Sequence, residues 1–263
     1  MAIRLNALDE LDAIAGDLDS GAAVTSSDRG LLVRARALKL QFEAANAVLY
    51  QAAHDEIATH GTSASFSRWL KEDADAPRPG LSFDLLDEIV SGVLQLHGPK
   101  GDGVLPSAEM TAYQPTPVRH ILDLIGACNF SSDDVLVDLG SGLGHVPLLA
   151  GILAGIRTLG IELQSDHTAS AQQAAQRLNL KRVRFLAEDA RTADLTQGTV
   201  FYLFTPFRGS VLTRVLGRLR TQSESKQIRI CTLGPCTCTL QGQTWLKALR
   251  RPDTERITIF ESL

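Results

Sequence analysis

The feature that most restricts the fold lies after Ser131, where short apolar runs and helical segments alternate in regular order. Val135–Leu139, Arg157–Leu163, Val183–Ala187, Thr199–Phe204 and Ile228–Leu233 read as strands, being short and rich in branched and aromatic residues. Helical spacing occupies the intervals: Leu143–Ala154, about Asp166–Leu178, and Ser210–Arg220. A run such as Val135-Leu136-Val137 shows no polar alternation, so both of its faces must be covered. Strand–helix alternation of this kind predicts an α/β, doubly wound, mostly parallel sheet. Trp245–Leu249 and Ile257–Phe260, on either side of Arg251-Pro252-Asp253, read as a closing hairpin that adds two strands.

The first hundred residues read differently, with helical periodicity and almost no strand signal. Leu5, Leu8, Leu11 and Ile14 fall on one face of a first helix. Gly16–Ser27 breaks it, and Ser27 or Asp28 can cap a long second helix that ends at Gly61. Its expected inner face is Leu32, Ala35, Ala37, Leu38, Phe42, Ala45, Leu49 and Ala52. A short segment at Phe66–Lys71, a break at Ala76-Pro77-Arg78-Pro79-Gly80 and a helix over Phe83–Leu96 follow. The loop from Gly98 to Pro106 divides a helical N-terminal portion, residues 1–105, from a core at 106–263. Thr116-Pro117 then offers a cap and a first-turn proline for a helix reaching Cys128. The apolar face of Asp28–His60 must pack on the core, on the first helix or on a second subunit, which would make a homodimer.

Charge and cysteine content remove several classes. The 263 residues carry a formal net charge of −4, which disfavours a nucleic-acid partner held by the general field. Cys231, Cys236 and Cys238 form C-x4-C-x-C with no histidine beyond, which is not a zinc spacing, so no metal is expected and a buried strand carrying thiols is the plainer reading. No apolar run approaches the roughly 18 residues of a membrane span. The start, Met1-Ala2-Ile3-Arg4, lacks a signal-peptide core, so a cytoplasmic protein is the expectation.

The first core strand ends on Asp138, and Gly140, Gly142 and Gly144 follow at once. In an open α/β sheet the ligand sits beyond such strand ends. A dinucleotide fingerprint would place a small residue where this chain has His145, and an acid beside the glycines would repel a pyrophosphate. Asp138 suits a ligand carrying positive charge.

The run Asp138-Leu139-Gly140-Ser141-Gly142-Leu143-Gly144 resembles the first motif, E/D-x-G-x-G-x-G, of class I S-adenosylmethionine-dependent methyltransferases and matches every fixed position. The resemblance covers residues 113–220 well, the tail loosely and the first hundred residues not at all. It implies a seven-stranded Rossmann-like methyltransferase sheet, an enzyme, and S-adenosylmethionine as cofactor. In that family an acid ending the second strand binds both ribose hydroxyls and a third acid meets the adenine amino group; Glu162 and Asp189 occupy those places. The cofactor site so implied comprises Asp138, Gly140, Ser141, Gly142, Gly144, Thr116, Glu162, Leu163, Asp189 and Ala190. An aromatic from the segment before the first strand closes over the cofactor in several such enzymes, which makes Tyr113 a catalytic candidate together with Thr205. Where amine methyltransferases often carry N/D-P-P-Y/F, this chain has Thr205-Pro206-Phe207, without the amide or carboxylate. Pro206, Phe207 and His145 are the substrate-side candidates. The local form Asp138–Gly142 is also similar to protein-lysine methyltransferases of this fold, including the type that modifies the histone core. Three readings therefore stand: a methyltransferase acting on lysine or another protein side chain, one acting on a small molecule, and a binding module without chemistry. The intact acids Asp138, Glu162 and Asp189 count against the third.

Overall fold

The computed structural model describes residues 7–8, 10–13, 26–74, 81, 83–96, 98 and 108–263. Leu5, Ile14, the breaks at 16–25 and 76–80, and the loop at 99–106 lie outside them. Among the described residues no helix is long and apolar enough to cross a membrane.

Among the described residues, those at 7–8 and 10–13 are helical, and α1 (Ser26–His60), α2 (Ala64–Ala74) and α3 (Leu85–Leu94) follow before the core. The core then runs α4 (Val118–Cys128), β1 (Val135–Leu139), α5 (His145–Ala154), β2 (Arg157–Glu162), α6 (Ser165–Arg177), β3 (Val183–Ala187), β4 (Val200–Phe204), α7 (Gly209–Ser223), β5 (Arg229–Leu233), α8 (Cys236–Gln241), β6 (Leu246–Ala248) and β7 (Thr258–Ser262). The sheet order is β3-β2-β1-β4-β5-β7-β6. Every pairing is parallel except those of β7, which lies antiparallel to both β5 and β6. The expected hairpin is thus correct in its strands, but its second arm slots between β5 and the first arm.

All five residues of β1 are buried, as the uninterrupted apolar run requires. One hydrophobic cluster joins α4, α5 and α6 to the sheet and continues into α1, α2 and α3 through Ala53, Ile57, Phe66, Leu86 and Ile89. A second cluster packs α7 and α8 on the opposite face through Val215, Leu216, Leu219 and Leu240. The chain leaves β3 at one edge and returns at β4 on the far side of β1. Strand order therefore reverses between β1 and β4, where ligands bind in sheets of this kind.

The structure differs from the expected detail in three ways. On α1, Ala37, Leu38 and Ala52 are exposed, whereas Ala53, His54 and Ile57 are buried. The inner face follows the register set by α3, and His54 hydrogen-bonds the Val93 carbonyl at 2.9 Å. Thr116 does not cap α4. Its hydroxyl pairs with the Tyr202 hydroxyl at 3.1 Å, and the Val118 N–H donates instead to Asp87 of α3 at 2.9 Å. Asp84 caps α3 itself in a reciprocal capping box and holds Arg119 of α4 at 2.9 Å. Finally, only Cys231 of the C-x4-C-x-C run lies on a strand; Cys236 and Cys238 belong to α8, because Pro235 and the left-handed Gly234 (φ 82°) end β5.

Candidate functional site

The carboxyl ends of β1, β2, β3 and β4 meet at one crevice. Gly140 and Ser141 donate to the Ile161 carbonyl at 2.8 and 3.1 Å, folding the glycine loop back toward β2. Glu162 then accepts from Gly142 N–H through one oxygen and from Gln164 N–H through the other, both at 2.9 Å. Each carboxylate oxygen retains a free acceptor direction. Glu162 so placed anchors the loop and still presents acceptors to the crevice.

The crevice holds a cavity of about 510 Å³ and a small one of about 30 Å³. Glu162, Leu163, Asp189 and Ala190 line the large cavity on one side, and Pro206, Phe207, Val211 and Cys236 line it on the other. The small cavity is lined by Asp138, Ser141, Thr116 and His145. Tyr113 borders both. Its ring rests on the glycine loop so closely that a Cβ on Gly142 would lie 2.1 Å from it, and it meets the His167 ring at a centroid distance of 4.8 Å.

Charge in the crevice is arranged for a cationic ligand. Asp138 is 3% exposed, and burial, together with the nearby Glu162 carboxylate, pushes its pKa well above the ordinary 3.8. No ion pair reaches Asp138 among the described residues. Ser141 Oγ and His167 Nδ1 are likewise buried without a hydrogen-bond partner. His145, enclosed at the small cavity, has its pKa pushed down to about 4 by desolvation and is neutral at pH 7. Burial raises the Tyr113 phenol, so it keeps its proton. Two acids and two orphaned polar atoms fit an ammonium or sulfonium and sugar hydroxyls; they do not fit a phosphate.

Several sequence-stated positions fall in different places from those expected. Gly144 borders neither cavity; a Cβ there would lie 2.5 Å from the Phe185 ring and 3.0 Å from Ala171, so its requirement is packing beneath the loop. His145 stands with Asp138 in the small cavity, apart from the large one that Pro206 and Phe207 line. The Thr205 hydroxyl accepts from Cys236 N–H at 3.2 Å and donates to the Leu233 carbonyl at 3.3 Å, which holds a left-handed backbone (φ 39°) at the β4 end. That hydroxyl is engaged in shaping the loop. Asp189 is gripped by Arg191, whose hydrogen bonds hold its carboxyl below the ordinary range. Sequence reading missed His167, Tyr202 and the α8 wall. An acidic motif at a strand end is visible in one dimension, but a helix residue two turns of chain away has no signature of its own.

Residues 107–202 match the family described as "DOT1: Histone methylation protein DOT1". They span the helix before β1, the glycine loop, the ends of β2 and β3, and the start of β4. The match takes in 96 of the 263 residues and agrees with the strand order of the sheet. The core is that of a class I S-adenosylmethionine-dependent methyltransferase.

A search of curated proteins by sequence found no match. Solved structures to which this methyltransferase is similar over part of its length include an RNA methyltransferase from Salinibacter ruber in complex with S-adenosyl-L-homocysteine. It shares 24% identity, covering 57% of this chain and 92% of that one, with a TM-score of 0.46. The tRNA (uracil-54, C5)-methyltransferase of Pyrococcus abyssi, also with S-adenosyl-L-homocysteine, shares 15% over 58% of this chain and 40% of that one, at 0.43. A human methyltransferase 10 domain containing protein shares 16% over 66% and 91%, at 0.43.

Because Glu162 both anchors the loop and faces the cavity, Glu162→Ala is expected to weaken S-adenosylhomocysteine binding by about 1–3 kcal/mol, from lost charge-assisted hydrogen bonds. Calorimetry on the folded variant checks this; unchanged affinity would reject the role.

Proposed function

We propose that this methyltransferase acts on a protein side chain, with the lysine amine as acceptor. The observation that carries the reading is the chemistry of the large cavity beyond the cofactor residues. Met110, Phe204, Phe207, Val211 and Leu212 wall it with apolar surface. A lysine stem is apolar along its length, and only its tip is charged. An apolar wall disfavours the ammonium form and so favours the neutral amine, the form with a free electron pair. The match of residues 107–202 to a histone methylation family supports a protein acceptor.

In this reading Asp138, Ser141 and Thr116 hold the amino-acid end of the cofactor, Glu162 the ribose, and Leu163, Asp189 and Ala190 the adenine. S-adenosylmethionine supplies an activated methyl group on a sulfonium. The chain's own task is to align the acceptor and keep water out, which can account for several kcal/mol of barrier lowering. Phe207 is buried and Met110 bridges it backbone to backbone, so this wall is rigid. Tyr113, its proton retained, is placed to close the site.

The test is transfer of labelled methyl groups from S-adenosylmethionine into a cell lysate, followed by separation into protein, nucleic-acid and metabolite fractions. Label is expected in protein and, after hydrolysis, in methylated lysine. Label confined to metabolites would establish a small-molecule acceptor, and label in nucleic acid would overturn the reading from the other side.

A further inference from the structure

We propose that His167 completes the ribose site by donating a ring N–H to a sugar hydroxyl that itself donates a hydrogen bond to Glu162. The inference rests on the cofactor assignment made above and adds a residue to it.

His167 lies in the first turn of α6, only 6% exposed, and lines the large cavity beside Glu162, Leu163 and Gln164. Its Nδ1 is buried, and no described residue bonds it. A buried ring nitrogen without a partner is destabilising, and Ser141 Oγ of the glycine loop shares that state. The missing partner is therefore expected from whatever fills the cavity.

The surroundings specify which part of the ligand that is. Tyr113 touches both Gly142 and His167, and Gly142 N–H is bonded to Glu162. Glu162 and His167 thus line the same cavity, with the Tyr113 ring against both the glycine loop and the His167 ring. Each Glu162 oxygen has already accepted a backbone N–H and has one direction left, enough for one hydroxyl proton apiece. A hydroxyl that gives its proton to Glu162 still has lone pairs to satisfy. Glu162 cannot satisfy them, since an ionised carboxylate only accepts; an imidazole can, since it always carries at least one N–H. Adenine is held further along, where Leu163, Asp189 and Ala190 line the wall. His167 is in consequence a binding residue with a specific object, and its partner is one hydroxyl of a cis-diol.

The experiment measures binding by calorimetry with three ligands: S-adenosylhomocysteine and its 2′-deoxy and 3′-deoxy analogues. His167→Phe keeps a flat ring against Tyr113 and removes both nitrogens. It is expected to lose about tenfold in affinity for S-adenosylhomocysteine. For one of the two deoxy ligands it should match the unaltered protein within about twofold, because the hydroxyl that His167 would serve is already gone. His167→Gln, which restores an N–H donor, should recover most of the loss. Should the phenylalanine variant fail to fold, His167→Leu takes its place with the same expectations. Unchanged affinity of a folded variant for S-adenosylhomocysteine would overturn the inference, as would an equal loss for all three ligands. If the unaltered protein itself ignores S-adenosylhomocysteine, the cofactor assignment fails and takes this inference with it; normal binding by the unaltered protein with an indifferent His167→Phe removes the inference alone.

Discussion

Asp138→Asn is expected to make the ligand-free protein more stable at neutral pH while weakening S-adenosylhomocysteine binding about a hundredfold, or about 3 kcal/mol. Both effects come from one carboxylate. Asp138 is buried at the end of β1, and burial and Glu162 both disfavour its charged form. An asparagine of nearly the same shape removes the repulsion, and a gain of about 2 kcal/mol is the order expected for discharging a buried, unpaired acid. The same change removes the charge that would meet the ligand's ammonium. The pH dependence has a definite sign. The folded-state pKa is raised, so this group's contribution to stability is complete below its ordinary value of 3.8 and is lost as pH rises through the raised value. Ligand affinity runs the opposite way and rises across the same window as Asp138 ionises. Thermal melting from acid to neutral pH should show the slope flattened in the asparagine variant. A variant melting below the unaltered protein at pH 7 would contradict the assignment.

Gly140→Ala carries the second large effect. Gly140 has a left-handed backbone (φ 85°), and an added Cβ would lie 2.3 Å from Pro206 Cβ. Pro206 is a closed ring, so it has no rotamer by which to withdraw. The β1 and β4 loops would have to separate, and a loss of about 2–4 kcal/mol in stability with no detectable cofactor binding is expected. Gly142→Ala provides the contrast. Its Cβ would clash with Tyr113 more closely, at 2.1 Å, but that ring is a side chain on an exposed segment and can turn away. The Gly142 variant should therefore retain measurable binding, and adding Tyr113→Ala should restore part of the loss. Denaturant melts and calorimetry on the three variants rank them; equal damage from both glycines would show that the backbone angle matters more than the neighbour.

The parallel strands were legible in the sequence because β1, β4 and β5 are short apolar runs with both faces covered, and β2 and β3 sit between them and the helices at the same spacing. The positions of the acids at 138, 162 and 189 at the carboxyl ends of strands were legible because strand ends are easy to find in such a sequence. Other features escaped for physical reasons. Thr116 looked like a helix cap because a threonine before a proline satisfies that rule locally, yet Asp87 from another helix took the cap and left Thr116 to Tyr202. Gly144 looked like part of the ligand loop, but its neighbours are Phe185 and Ala171, residues 27 or more positions away in sequence. The inner face of α1 was misjudged at Ala37, Leu38 and Ala52 because a helix with alanine and leucine on several faces shows no single stripe until its partner is known. His167 shows the same limit most clearly. Its importance depends on a missing partner, and only coordinates reveal that.

The position of β7 has a consequence for synthesis. This strand is made after β6 yet inserts between β5 and β6. A nascent chain that has emerged only as far as β6 therefore has an open β5 edge, with the Arg229–Leu233 backbone lacking one neighbour and β6 lacking its only one. Exposed strand edges of this kind recruit other strands. During that interval the slot between β5 and β6 is open to any strand that reaches it before β7 does. Any slowing of translation between Ala248 and Thr258 would lengthen the period in which a second chain can fill it.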